Sequence, residues 1–338
     1  MQAALYAGAH RLQLIEKPVR KIEKDEVLLK VSACGVCGTD LKILNGKLHA
    51  KLPVILGHEF GGIVVECGQY VRTLMPGNFV AVDPNIVCGY CRFCRRGKVN
   101  LCENLQALGV DIDGGFAEYC LAPAQQCYRL PDDFPSLQAA LLEPISCGLY
   151  GIRLANIQPG NSIVIIGGGM IGIIMIQLAK LFGASLIIVT EVDEHRQEWA
   201  KQFGADLVIN PQKPDAEKVI FTATEGGGDV VIECAGSPQT FQQAIRLAAN
   251  GGTVVVFGVS ANDQTISVAP YEIYRKNLDI KGSFLNPFTF QDAVQLMISK
   301  KLRFDGLDIG YFSLQEIEKA FENQRQKKNL KTVILPHE

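Results

Sequence analysis

From Ile163 to Lys281 short apolar runs alternate with segments of helical length, and few folds accept that rhythm. Ile163-Val-Ile-Ile166, Leu186-Ile-Ile-Val189, Leu207-Val-Ile209, Val230-Val-Ile232, Val254-Val-Val-Phe257 and Leu278-Asp-Ile-Lys281 have the length of buried strands and, in most, their β-branched content. Met170 to Phe182 and Glu194 to Phe203, lying between the first three, are long enough for helices. Strands joined through helices need crossovers, and crossovers of one hand give a parallel sheet covered on both faces. Before about residue 140 the texture differs: Val27-Leu-Leu-Lys-Val31, Gly62-Ile-Val-Val65 and Phe79-Val-Ala-Val82 are brief β segments bounded by Gly, Pro or charge. After Lys281, helices are expected over Phe290 to Ser299 and Leu314 to Asn323, followed by a strand, Lys331-Thr-Val-Ile-Leu335, that returns to the first domain. A chain of 338 residues exceeds one ordinary core. The expectation is an α/β two-domain protein, with a β-rich domain of 1–147 plus 283–338 and a doubly wound parallel sheet of 148–282.

The turn after the first of these strands carries chemistry. Gly167-Gly-Gly169-Met170-Ile171-Gly172 fits G-x-G-x-x-G, follows a strand and opens a helix, and Glu191 stands nineteen residues past the last glycine. Glycines let the backbone turn tightly and approach a pyrophosphate, whose charge then sits at the helix N-terminus. Glu191, ending the second strand, can accept hydrogen bonds from both ribose hydroxyls of an adenosine and would repel a 2′-phosphate, so NAD is preferred to NADP. His195 and Arg196 leave room for use of both, and Arg196 is a plausible neighbour of the adenine or ribose.

Cys88, Cys91, Cys94 and Cys102 place four thiols within fifteen residues, spacing that closes a tetrahedron around one structural zinc ion. A second set looks open: Cys37 in Cys34-Gly-Val-Cys37-Gly-Thr39-Asp40, with His58 and Glu59 in Gly57-His-Glu-Phe-Gly61. The chain has 11 cysteines, an odd number, and Met1-Gln-Ala-Ala-Leu-Tyr6 runs straight into a strand pattern and not a signal peptide. Reduced thiols in the cytoplasm are the expectation, with Cys34, Cys67, Cys120, Cys127, Cys147 and Cys234 acting as small apolar residues.

Composition excludes more than it assigns. A net charge of −2 gives no electrostatic reason for nucleic acid or an anionic membrane as partner. The basic run Arg92, Arg95, Arg96 and Lys98 reads as a solvated rim of the cysteine loop. The uncharged stretch from Ser162 to Ala179 has almost the length of a membrane span, but Gly167-Gly-Gly169 breaks it, and strand, turn and helix account for it better.

In order along the chain, Cys-Gly-Thr-Asp, Gly-His-Glu, the four-cysteine loop, Leu142-Glu143-Pro144, the glycine turn and Glu191 resemble the zinc-containing medium-chain alcohol and polyol dehydrogenases, in their sorbitol dehydrogenase-like branch. The resemblance covers essentially the whole length. It implies a GroES-like catalytic domain beside a Rossmann domain, one catalytic and one structural zinc per chain, and a homodimer or homotetramer. It also implies Cys37 and His58 as zinc ligands, Glu59 as a third ligand or close neighbour, and Glu143 reaching zinc directly or through its water, with Cys147 as the competing candidate. Thr39 matches the hydroxyl that takes the alcohol's proton, and Lys42 stands where the family usually has a relay histidine. Ser283, Phe284 and Leu285, just past the last sheet strand, fall on the cofactor side.

The implied reaction moves a hydride between NAD and a secondary alcohol or polyol. Ser283-Phe-Leu-Asn-Pro-Phe288 replaces the Arg-Tyr pair with which similar enzymes grip sorbitol, and Ile43 replaces an aromatic residue. Butanediol, threonine, cyclic polyols and sugar-alcohol phosphates therefore stay open as substrates. Two rival readings are a zinc-free quinone-type reductase on the same scaffold and a non-catalytic NAD-sensing or zinc-binding protein.

Overall fold

In a computed structural model describing residues 1–338, the six apolar runs between Ile163 and Lys281 all pair in one sheet. Its order is Leu207–Ile209, Leu186–Thr190, Ser162–Ile166, Gly228–Glu233, Ala248–Val256, Asp279–Gly282, and every pairing is parallel. That order reverses between Ser162–Ile166 and Gly228–Glu233, the switch point at which doubly wound sheets open a crevice beyond their carboxyl ends. Burial explains the strand sequences: Ile163, Val164 and Ile165 are wholly buried, and each such side chain contributes about 1.5–3 kcal/mol. The helix Met170–Leu181 is apolar nearly all round because Ile173, Ile174, Met175, Ile176 and Leu178 are buried. No helix is long and apolar enough to cross a membrane. These elements lie in a compact unit, Cys147–Asn286; Ser283 belongs to it because its N–H donates to Val256 O.

The other unit comprises Met1–Ser146 and Pro287–Glu338. Its main sheet has seven strands, with Glu26–Val36 paired to Glu59–Cys67, Tyr119–Pro123 and the C-terminal Lys331–Leu335. The C-terminal strand thus joins this sheet, as its sequence pattern implies. The last helix differs from expectation at its start: Leu314–Glu316 is a 3-10 turn, and the α-helix proper runs Ile317–Gln326. Of the six cysteines expected to act as apolar residues, Cys34 and Cys120 are fully buried, while Cys67, Cys127, Cys147 and Cys234 are only half-buried.

Register in this sheet builds a site. Glu26–Val36 ends where Glu59–Cys67 begins, antiparallel to it, with Gly35 opposite Glu59. Cys37 and His58, twenty-one residues apart in sequence, therefore lie side by side. The C-terminal strand approaches from the other edge, pairing Thr332 with Val36 and Val333 with Gly35, and so delivers Lys331 to the same corner.

Candidate functional site

Cys37 is the N-cap of a short helix, Gly38–Leu44. Its sulfur accepts the Thr39 N–H at 3.4 Å, and Asp40 Oδ2 accepts the Cys37 N–H at 2.8 Å, a reciprocal pair with capping-box spacing. The far end of the helix is held by Tyr6 Oη, which donates to Ile43 O and Leu44 O, and by His10 Nδ1 against Leu44 O. Cys37 and the half-buried Thr39 thus sit on an element fixed at both ends.

The donor atoms of Cys37, His58 and Glu59 all lie within 4.8 Å of one another. Asp40, missed in the sequence, is completely buried, and its Oδ1 stands 3.2 Å from His58 Nδ1. That is ion-pair distance, but the angle falls short of a hydrogen bond and leaves both buried atoms without such a partner. A small rotation of the imidazole, as on taking a metal through Nε2, would align them into a carboxylate–histidine–metal arrangement. Burial alone would pull the His58 pKa down, yet the charges of Asp40 and Cys37 beside it win and hold it well above its ordinary value. A cluster that draws a positive charge this strongly, with sulfur, imidazole and carboxylate donors, fits a zinc ion.

Glu59 has a second partner that sequence reading also missed. Its carboxylate forms an ion pair with Lys331, whose Nζ donates in addition to Val36 O at 3.2 Å. Both side chains are almost fully buried. Gly35 makes this possible, since a Cβ there would stand 2.3 Å from Glu59 Oε2 and 2.8 Å from Lys331 Cε. Burial lowers the Lys331 pKa, but the Glu59 charge raises it further, so the lysine remains cationic. Glu143, buried in the first turn of the helix Leu142–Ala155, lies outside the three-residue donor cluster.

The four-cysteine loop springs from a two-stranded sheet, Asn85–Ile86 with Gln106–Ala107. Sulfur atoms of Cys88, Cys91, Cys94 and Cys102 lie within 4.8 Å of one another, and none is in a disulfide. N–H groups of Cys88, Cys91 and Asn104 point at these sulfurs at 3.3–3.4 Å. Desolvation and then the neighbouring Cys91 thiol push Cys94 up to about 12. Desolvation is also the largest single effect on Cys88, but the amides of Tyr90 and Cys91 with the Asn104 and Cys102 side chains together outweigh it and draw that thiol down to about 6. Thiolates crowded in this way repel one another unless a dication sits among them, so this set also fits zinc.

In the parallel-sheet unit the glycine turn has the expected form. Gly172 packs so closely that a Cβ would stand 2.0 Å from Gly167 O. Gly169 caps Met170–Leu181 with no side-chain hydrogen bond, leaving first-turn N–H groups, Met170 and Ile171 among them, for an anion. The Arg196 guanidinium lies beside the turn, with Nη1 3.8 Å from the place a Cβ on Gly169 would take.

Glu191 departs from the simplest expectation. It is buried and turned onto the loop: Oε2 accepts the Gly168 N–H at 2.7 Å, and Oε1 accepts those of Val192 and Asp193 at 2.8 and 3.0 Å. Three of roughly four acceptor positions on a carboxylate are then in use, which leaves about one for a ribose hydroxyl, not two. Ser283, Phe284 and Leu285 follow Asp279–Gly282 at the carboxyl edge of the sheet, with Phe284 exposed and Leu285 at φ +59°.

Two family models match this chain: the alcohol dehydrogenase GroES-like domain over residues 23–132 and the zinc-binding dehydrogenase over residues 171–299. Sorbitol dehydrogenase of Bacillus subtilis is 34% identical across 100% of this chain and 98% of its own. L-threonine 3-dehydrogenase of Thermococcus kodakarensis is 36% identical over 97% of this chain and 96% of its own. Among solved structures, a zinc-binding dehydrogenase of Sinorhizobium meliloti 1021 bound to NADP superposes with a TM-score of 0.94 at 37% identity, covering 99% of both chains.

Proposed function

The chain belongs to the zinc-binding alcohol and polyol dehydrogenase family, and from that premise we propose that it moves a hydride between NAD and a secondary alcohol or polyol. The observation that carries the proposal is the buried donor set of Cys37, His58 and Glu59, backed by Asp40. Cys37 and His58 would hold the catalytic zinc, with Glu59 of the same donor cluster as a third ligand or close neighbour and Glu143 reaching it directly or through its water; Cys88, Cys91, Cys94 and Cys102 would hold the structural one. Bound there, zinc supplies Lewis acidity that makes an alcohol hydroxyl within its reach easier to deprotonate. NAD supplies the hydride acceptor.

The chain's own part is alignment and proton handling. Asp40 fixes the Cys37 backbone through one oxygen and faces the His58 ring at 3.2 Å with the other, so a His58 aligned on a metal would be held by the same carboxylate as the Cys37 backbone. Lys331 holds the Glu59 carboxylate against Val36 and offsets its charge. Thr39 Oγ1, in the first turn of the helix that Cys37 caps, takes the substrate's hydroxyl proton. In the other unit, the N-terminal N–H groups of Met170–Leu181 receive the pyrophosphate. Glu191 takes a ribose hydroxyl and opposes a 2′-phosphate, which supports NAD although the Sinorhizobium protein was solved with NADP. Eleven thiols without a disulfide support a reducing setting such as the cytoplasm, and the family resemblance supports a homodimer or homotetramer.

The test is an initial-rate screen of zinc-replete protein with NAD against polyols, diols, hydroxy-amino acids and sugar-alcohol phosphates, following the reduced nicotinamide band. Turnover of a secondary alcohol or polyol is expected. Binding of NAD with no absorbance change across the panel would leave a non-catalytic protein and refute the proposal.

A further inference from the structure

Glu233 ends the strand on the opposite side of the glycine turn from Glu191, across the switch point, and the dehydrogenase reading gives it no task. Only 1% of it is exposed. Its Oε1 accepts the N–H groups of Ala235 and Gly236, both at 2.8 Å, while its backbone carbonyl accepts those of Phe257 and Gly258 at 3.0 and 2.7 Å. One residue therefore ties together the loops that follow two neighbouring strands, both at the carboxyl edge of the sheet.

These loops are tightly nested. A Cβ on Gly258 would stand 2.3 Å from Gly236 N and 2.6 Å from Glu233 Oε2, and one on Gly236 would stand 2.9 Å from Val259 O. The same loop stands against the glycine turn: a Cβ on Gly167 would lie 3.4 Å from Ala235 N and 3.5 Å from Ala235 Cβ. Cys234 N donates to Ile166 O, so the strand ladder itself carries the loop to that place. Residues 234–236 thus form the wall of the crevice facing the nucleotide-binding turn, and their backbone conformation depends on a buried carboxylate that bends back to hold two successive amides.

We propose that Glu233 is a positioning residue for the dinucleotide: by holding the Ala235 and Gly236 amides it keeps the second wall of the crevice at the distance the cofactor needs. It acts through the loop and touches neither the cofactor nor the substrate. The inference rests on the reading of this unit as the NAD site.

The experiment compares zinc-replete wild type with Glu233→Met and Glu233→Gln by calorimetric titration with NAD, and measures Tm without nucleotide. Methionine fills the space but accepts no backbone hydrogen bond, whereas the glutamine oxygen replaces Oε1. We expect the NAD dissociation constant to rise about tenfold or more in Glu233→Met, the size of one charge-assisted hydrogen bond lost, and to stay within about threefold in Glu233→Gln. Equal NAD affinity in wild type and Glu233→Met, with only Tm lowered, would reduce Glu233 to a structural residue and overturn the inference. If Glu233→Met does not fold, amide exchange in wild type decides: NAD should slow exchange at residues 234–236, and unchanged exchange there overturns the wall assignment. Wild-type protein that takes up no NAD overturns the dehydrogenase reading itself, a result distinct from the loss of Glu233's role alone.

Discussion

Asp40→Asn tests the metal centre through a residue that would not itself bind metal. Asp40 uses both oxygens: Oδ2 accepts the Cys37 N–H at 2.8 Å, and Oδ1 faces His58 Nδ1 at 3.2 Å. Asparagine keeps the shape but exchanges one acceptor for a donor. If its oxygen stays on the Cys37 N–H, its amide group donates to His58 Nδ1, and the ring proton must then move to Nε2, the nitrogen the metal needs. If the amide turns over, it sets donor against donor at the buried Cys37 N–H, at a cost of about 1–3 kcal/mol. Either arrangement should weaken metal binding by roughly 10–100-fold, the usual effect of losing an outer partner, or about 1.4–2.8 kcal/mol. Competition with a chromophoric chelator measures this, with the four-cysteine site as an internal control in the same molecule. Only one of the two zinc equivalents should be lost more readily. If Asp40→Asn retains both equivalents at wild-type affinity, the tautomer argument is wrong, and if both weaken equally the effect is general destabilisation.

Glu191→Ala should raise the dissociation constant for NAD about tenfold, or roughly 1.4 kcal/mol, and narrow the preference over NADP; an unchanged ratio of the two constants removes the role given to its carboxylate. Cys94→Ser should lower Tm by several degrees and release one zinc while leaving turnover per folded molecule near wild type; loss of turnover at normal Tm would mean that the two metal sites had been exchanged in the assignment. Glu26 faces opposing effects, in that burial raises its pKa but the Arg20 hydrogen bond and the Glu23 amide together lower it below the ordinary carboxylate value. A depressed folded pKa stabilises above the unfolded value and is lost as pH falls through the folded one. Arg20→Met should therefore cost about 0.5–1 kcal/mol at pH 7, a figure reduced by the arginine's exposure, and progressively less below about pH 4. Denaturant titrations at both pH values read the difference, and an equal loss at each would show that the pair contributes packing only.

The parallel sheet was legible because its inner strands, Leu186–Thr190, Ser162–Ile166 and Gly228–Glu233, are largely buried and read as nearly continuous apolar runs. The edge strand Asp279–Gly282, expected to be buried, is mostly exposed and carries two charges in four residues. Ala248–Val256 is a further exception: Asn250-Gly251-Gly252 looks like a turn in sequence, but the structure accommodates it as an irregularity between the pairs Gly228–Ala248 and Val230–Thr253. The four-cysteine set is local in sequence, so spacing alone brought it into view. Asp40 has a local signal, the capping-box distance from Cys37, but it stands beside the more conspicuous Thr39. Lys331 had none. It opens an ordinary strand pattern 272 residues from Glu59, and only the antiparallel pairing of Lys331–Leu335 with Glu26–Val36 brings the two together. Likewise Glu191 could be identified as the acid of the nucleotide motif, but its inward turn onto three amides is a property of the folded loop.

The most direct measurement is a zinc titration of metal-stripped protein, following zinc content, Tm and NADH formation from an active alcohol in the same samples. The first equivalent, entering the four-cysteine loop, should restore Tm with little catalysis, and NADH formation should appear only with the second. Full NAD reduction at one zinc per chain, unchanged on adding more, would contradict a metal at Cys37 and His58.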